Sequence, residues 1–404
     1  MKAHIISLGC PKNLCDTEVI MGELVCAGYS ITQNLKDADI IVINTCAFLR
    51  SARDESFAII KKAIKNKKHK AKIYVAGCLP KIKNEKNRLN KLSKLNGIIN
   101  SDDIFDSHSP RIKATNPWTA YIKISEGCNN RCSYCLIPKI RGPLKNRKVA
   151  DILKETRELS KKGVKEIIFV AQDTSAHPKF EEILRKTAKI KDIKWIRIMY
   201  THPKHLSKNL IKTIEKEAKI CKYIDLPIQH ICDNILKKMR RGVSSSDVQG
   251  LIETLRNEIK GLVLRTSLIV GFPGEKEGEF LKLADFIKKM QFERLGIFKY
   301  SKEEGTSAAK LRGQIPEKVK EFRFHKLMAL QNQISKGLNK KLIGKTFEVL
   351  IEKIGKNFCI GRTYMDAPDI DGSVKIFNPN LKLGRFVKAK IVKASAYDLE
   401  AVLT

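Results

Sequence analysis

Three short β-rich runs near the N-terminus, HIISLG (4–9), IIVINT (40–45) and KIYVAG (72–77), each lead directly into a cysteine: Cys10, Cys46 and Cys78. Helical patterns at 14–28 and 52–65 separate the runs. This β-α-β-α-β alternation is the pattern of an open parallel sheet. The carboxyl ends of such strands form one binding edge. The placement therefore predicts that three cysteines 32 to 36 residues apart in sequence meet in space. Three unrelated buried cysteines is the plainer reading, since cysteine is often buried, but the repetition at strand ends argues against it. Cys15 and Cys26 fall inside the first helical pattern and read as structural.

The alternation defines the domains. Residues 1–105 form the first α/β unit, and 106–118 (DSHSPRIKATNPW), with two prolines and no period, read as a linker. Residues 119–341 resume with strand candidates at 121–125, 166–171, 195–200, 223–228, 264–270 and 294–298. Amphipathic helices are expected between them, at 151–163 and 278–290 for example, and a helix-rich stretch spans 316–344. Six β/α units predict a parallel barrel or partial barrel, with chemistry at the C-terminal ends of its strands. Residues 342–404 change to short strand runs with Gly, Pro and Asn turns, the pattern of a small antiparallel β-barrel.

The segment EGCNNRCSYC (126–135) follows the first strand of the second unit and holds Cys128, Cys132 and Cys135. Structural zinc sites usually take four protein ligands. Three soft ligands on one loop, with no neighbouring fourth, suit a 4Fe–4S cluster with one iron left open. A zinc or purely structural cluster is the competing reading.

Composition bounds the class. The chain has 404 residues, enough for two or three domains at ~150 each. No run approaches the ~20 apolar residues of a membrane span, and the N-terminus is too quickly polar for a signal peptide. A cytoplasmic, membrane-free protein is expected, in which eleven cysteines are not a disulfide scaffold. The net charge is +35, from 78 Lys+Arg against 43 Asp+Glu, which suits a polyanionic partner or a coding bias toward lysine equally well.

The triplet, with Tyr134 just before its last cysteine, resembles the signature of radical S-adenosylmethionine (SAM) enzymes. That resemblance implies that the open iron binds the methionine end of SAM, whose one-electron cleavage yields a 5′-deoxyadenosyl radical. An unactivated C–H bond is beyond the reach of an ordinary side-chain base, and a cofactor carries such chemistry. Gln172 and Asp173 in AQDTS, and Gly271 and Pro273 in GFPGE, stand at strand ends where the cofactor is expected; Gln229 and His230 in DLPIQH are weaker candidates.

Beyond the triplet, SLGCPKN (7–13), INTCAF (43–48) and VAGCLPK (75–81) make the whole chain resemble a radical SAM methylthiotransferase. The resemblance implies a second 4Fe–4S cluster on Cys10, Cys46 and Cys78, and a C-terminal TRAM barrel. EGCNNRCSYCLIP, AQDTSAH, DLPIQHI, YSKEEGTSAAKL and DAPDIDG are similar to the RimO branch, although His177 replaces an expected aromatic and Lys302 an expected proline. That branch implies methylthiolation at the β-carbon of an aspartate in small-subunit ribosomal protein twelve, free or in the ribosome. An external electron donor and a sulfur source are implied too. The rivals are tRNA 2-methylthioadenosine synthesis and a non-catalytic iron–sulfur RNA-binding redox sensor. Residues 342–404 carry only +3, leaving +32 on residues 1–341. A barrel that grips tRNA should be strongly basic, so direct tRNA binding is disfavoured. Asp366, Asp369 and Asp371 are expected to form an acidic loop facing a basic ribosomal protein.

Overall fold

The computed structural model describes residues 1–105 and 110–404, so residues 106–109 of the expected linker lie outside the described residues. The N-terminal sheet is parallel throughout, in the order Ser30–Ile31, Lys2–Ser7, Ile40–Thr45, Lys72–Gly77, Gly97–Ile98. Its central strand is covered on both faces, which is why IIVINT reads as an unbroken apolar run. The two outer strands are two residues each, too short to leave a period in the sequence. Helix Pro11–Cys26 starts directly after Cys10, with proline at its first position, where a missing N–H costs nothing.

The central unit is a six-stranded parallel sheet whose strands follow chain order: Thr119–Lys123, Glu166–Val170, Trp195–Ile198, Ile220–Asp225, Val263–Val270 and Arg294–Lys299. Thr119–Lys123 and Arg294–Lys299 are its edges, so this is the open, partial form of the barrel. Amphipathic helices cover one face. In Val149–Lys161 the buried residues Ile152, Thr156 and Leu159 recur at helical spacing.

The other face belongs to the C-terminal unit. Tyr121, Ile168, Val170, Trp195, Tyr223 and Val263 share one apolar core with Val349, Ile351, Val374 and Ile391. Those last four come from a closed five-stranded barrel: Thr346–Ile354, Cys359–Arg362, Val374–Ile376, Leu399–Leu403 and Phe386–Ala394. One of its pairs, Val374–Ile376 with Leu399–Leu403, runs parallel rather than antiparallel. These strands are not consecutive in the chain, so no hairpin dictates their direction.

Ion pairs pin this barrel to the sheet. Glu166 accepts from Arg197 Nε at 2.9 Å and from Arg362 Nη2 at 2.6 Å. Asp366, expected at an exposed acidic loop, is instead buried and pairs with Arg294 at 2.6 Å. Asp371 accepts from the Tyr223 hydroxyl at 2.7 Å and lies 3.5 Å from Arg265. The expected loop is corrected to one exposed acid, Asp369, with the other two spent on internal contacts. A short acidic segment reads as solvated because its partners lie 72 residues and more away in sequence.

Removing one partner of a buried ion pair costs roughly 3–5 kcal/mol. Glu166→Gln is therefore expected to lower the thermal midpoint and to hasten proteolytic release of residues 342–404. Burial alone would raise the Glu166 carboxyl; the Arg362 and Arg197 guanidiniums override it and hold it at about 2, below its ordinary 4.5. The folded-state value lies below the unfolded one, so this contribution is complete above pH 4.5 and is lost as pH falls toward 2. A midpoint in Glu166→Gln equal to the parent's at pH 7 would refute the assignment.

Candidate functional site

Strand ends bring the first three cysteines together. Gly9 has φ +90°, a left-handed conformation that glycine adopts freely. A Cβ there would stand 2.8 Å from Cys46 Cβ and 3.0 Å from its sulfur, so the loops of the first and central strands touch. Asn13 stitches them: its Nδ2 donates to Leu8 O at 3.0 Å and Thr45 O at 2.9 Å. Its Oδ1 lies 3.7 Å from Cys78 Sγ and accepts from Arg141 at 2.6 Å. Burial pushes the Cys78 thiol up to about 11 against the opposing pull of Arg141, and Cys46 also rises through burial. A metal must displace these protons to bind.

The second trio sits on the loop after Thr119–Lys123. Gly127, at φ +76°, lets this loop pass the backbone of Pro143, whose carbonyl would lie 2.1 Å from an added Cβ. Cys128 N donates to Gly142 O, Ser133 N to Met239 O, and Ala308 N to Ser133 O. The loop is thereby tied to both ends of the central unit. Arg241 Nη1 stands 3.4 Å from Cys132 Sγ and 3.4 Å from the Tyr134 hydroxyl. All three cysteines are half-buried, and burial pushes Cys135 up to about 12.

All eleven cysteines are free thiols. Among the described residues, the one triad of ligand atoms drawn within 4.8 Å of one another is Asp173, His202 and His205. Neither cysteine trio has all three sulfurs within that distance. The Asp173 group is explained by its own hydrogen bonds. Asp173 accepts from Asn130 at 2.8 Å, His205 at 2.7 Å and Ser175 at 2.8 Å. Nearby Arg241 opposes a further cation. Since Asn130 lies between Cys128 and Cys132, this group anchors the cysteine loop to the ends of the second and third strands. A cavity of about 550 Å³, lined by Cys128, Asn130, Asp173, His177 and His205, opens beside it.

The expected cofactor contacts fare unevenly. Tyr134 is half-buried against the helical core beside Arg241. Gln172 Oε1 is buried without a hydrogen-bond partner, as a side chain awaiting a ligand would be. Gly271 and Pro273 lie at the expected strand end, but the turn closes on itself. Gly271 N and Phe272 N donate to Glu275, which pairs with Arg323 at 2.8 Å, and a Cβ at Gly271 would strike Lys320. The close approach there is made by Lys320. His230 is fully buried, its Nδ1 accepting from Cys232 N at 3.0 Å. Sequence reasoning passed over Arg141, Arg241 and Tyr200. The last has φ +62°, packs under Lys12 at 3.4 Å, and is pushed well above its ordinary pKa by burial and then by Cys10. Asn13 and Lys12 lie inside the quoted SLGCPKN, and Asn130 inside EGCNNRCSYC.

Comparison with known proteins covers the whole chain. The Radical SAM superfamily matches residues 122–287, the uncharacterized protein family UPF0004 residues 2–99, and the TRAM domain residues 343–403. The chain is 41% identical over 438 residues to ribosomal protein uS12 methylthiotransferase RimO of Trichlorobacter lovleyi, covering 99% of this chain and 97% of that one. It is 44% identical to the protein of the same name from Carboxydothermus hydrogenoformans, covering 99% of each. In fold it resembles the radical SAM methyltransferase TsrM of Kitasatospora setae, at TM-score 0.52, 12% identity and coverage of 74% and 75%. It also resembles the cobalamin-dependent SAM radical enzyme OxsB, at TM-score 0.51, 12% identity and coverage of 83% and 56%.

Proposed function

The chain belongs to the RimO family of radical SAM methylthiotransferases, and from that premise we propose that it methylthiolates the β-carbon of an aspartate in ribosomal protein uS12, using two 4Fe–4S clusters. Iron–sulfur and SAM cofactors come with the family. The finer reading gives Cys128, Cys132 and Cys135 to the radical-generating cluster and Cys10, Cys46 and Cys78 to an auxiliary, sulfur-delivering one. The observation that supports it is that Arg141, six residues after Cys135, bonds both to Cys78 of the strand-end trio and to Glu126, two residues ahead of Cys128.

When bound, the clusters and SAM supply hydrogen abstraction from an unactivated carbon, together with sulfur and methyl transfer. The chain's own residues hold and shield that chemistry. Cysteines bind as thiolates. Asp173, through Asn130, fixes the loop between Cys128 and Cys132. Tyr134 and Arg241 wall one side of that loop, and Gln172 Oε1 offers an unpaired acceptor to a cofactor donor. The half-buried setting of the trios limits water. Of the acidic loop, Asp369 remains exposed to meet a basic partner. An external electron donor and sulfur source complete the reaction, in the cytoplasm; among the described residues no helix is long and apolar enough to cross a membrane.

One observation favours a second reading, a tRNA substrate. On the C-terminal barrel Lys375 stacks on Phe358 at 4.3 Å and on the exposed Phe377 at 4.8 Å. Aromatic and cationic groups so placed stack nucleobases. Against it stands the weak +3 charge of residues 342–404. The deciding experiment offers the anaerobically reconstituted protein, with dithionite and SAM, either a uS12 peptide or tRNA. Mass spectrometry is expected to find the methylthio group on the peptide's aspartate. Modification of tRNA alone would replace this reading with the second.

A further inference from the structure

Arg141 ends the short helix Ile137–Ile140, six residues after Cys135, and is buried. Its Nε donates to Cys78 Sγ at 3.3 Å and its Nη2 to Asn13 Oδ1 at 2.6 Å. Its Nη1 donates to Asp16 at 3.0 Å and to Glu126 at 2.8 Å. Cys78, Asn13 and Asp16 belong to the N-terminal lobe; Glu126 stands two residues ahead of Cys128. Lys123 also pairs with Asp16 and Glu126. Two cations and two carboxylates thus balance in a buried cluster before Cys78 is counted. A thiolate at Cys78, which iron binding requires, adds negative charge directly against a guanidinium already in place.

We propose that Arg141 is a positioning residue that locks the two cysteine trios in register and tunes the auxiliary cluster through its N–H···S bond to Cys78. The inference rests on the two-cluster reading above. Hydrogen bonds to cluster sulfurs and nearby positive charge favour the reduced, more negative state and raise the reduction potential. Only arginine does both jobs here. Its planar fork reaches four acceptors in two lobes at once, whereas lysine is a point charge that keeps the ion pairs and gives up the fork. A merely structural Arg141 would leave the potential where it is.

The test uses the full chain carrying Cys128→Ala, Cys132→Ala and Cys135→Ala, reconstituted anaerobically, so that the auxiliary cluster alone gives a signal. Its midpoint potential is read by EPR-monitored titration with Arg141 intact and as Arg141→Lys and Arg141→Gln. Arg141→Lys is expected to retain the iron of one cluster while its reduction equilibrium weakens about tenfold, about 59 mV for one electron. Arg141→Gln should shift at least as far. If it fails to fold, the lysine variant decides. A bound cluster whose midpoint is the same in Arg141→Lys overturns the coupling role and leaves the two-cluster reading standing. Absence of any cluster in the Arg141-intact protein overturns both.

Discussion

Replacing Cys132 with Ala is expected to bring reductive cleavage of SAM to background, a loss of at least about a thousandfold or ~4 kcal/mol in the rate. Cys132 is the middle cysteine of a trio on one loop, and no other cysteine of the chain lies on that loop to stand in for it. Two thiolates cannot hold a cluster that needs three while leaving one iron open. The loop's backbone is fixed by Gly142, Met239 and Ala308 rather than by the Cys132 thiol, so the variant should fold. Circular dichroism would show that the loss is local. The measurement is 5′-deoxyadenosine formed from SAM with dithionite, by liquid chromatography. Continued formation at the parent rate would remove the triplet from the radical chemistry.

Cys46→Ala should separate the two halves of the reaction. Cys46 stands in the N-terminal lobe against Gly9, on a different sheet from the triplet. SAM cleavage should continue, because Cys128, Cys132 and Cys135 are untouched. Methylthiolation should fall to background, since the site meant to deliver sulfur has lost one of three ligands. Iron content should drop to that of one cluster. The small change from thiol to methyl, which adds no atom beside Gly9, should leave the fold intact. Product formed at the parent rate by this variant would sink the auxiliary role of Cys10, Cys46 and Cys78. Loss of both activities would point to a lobe that fails to dock, and Arg141 would be the first contact to examine.

The strand-end cysteines and the triplet were legible because their information is local. A parallel strand ends where its apolar run ends, and Cys10, Cys46 and Cys78 each follow such an end, so one edge collects all three without knowledge of any other contact. The spacing of Cys128, Cys132 and Cys135 likewise fixes three sulfurs on one loop before any packing is known. Sequential strand–helix alternation gave the six-stranded sheet its order for the same reason. The two-residue strands Ser30–Ile31 and Gly97–Ile98 were invisible because a period needs more residues to show itself.

Contacts made across long sequence separations were decided only by the tertiary structure. Asp366 and Asp371 read as a solvated acidic loop, yet Arg294, Arg265 and Tyr223 from the barrel strands claim them. Gly271 and Pro273 read as a ligand-approaching turn, yet Glu275 and Lys320 take up the turn's donors and space. Arg141 carried no signal at all, although it touches Cys78 63 residues upstream and Asp16 125 residues upstream. A charged side chain has no periodicity that names its partner. Burial removes water as the alternative, and whichever opposite charge the fold brings within reach becomes the partner. The sequence by itself placed two cysteine trios directly after the strand ends of two parallel α/β units. The packing of the three units decided which charges are spent on holding the units together.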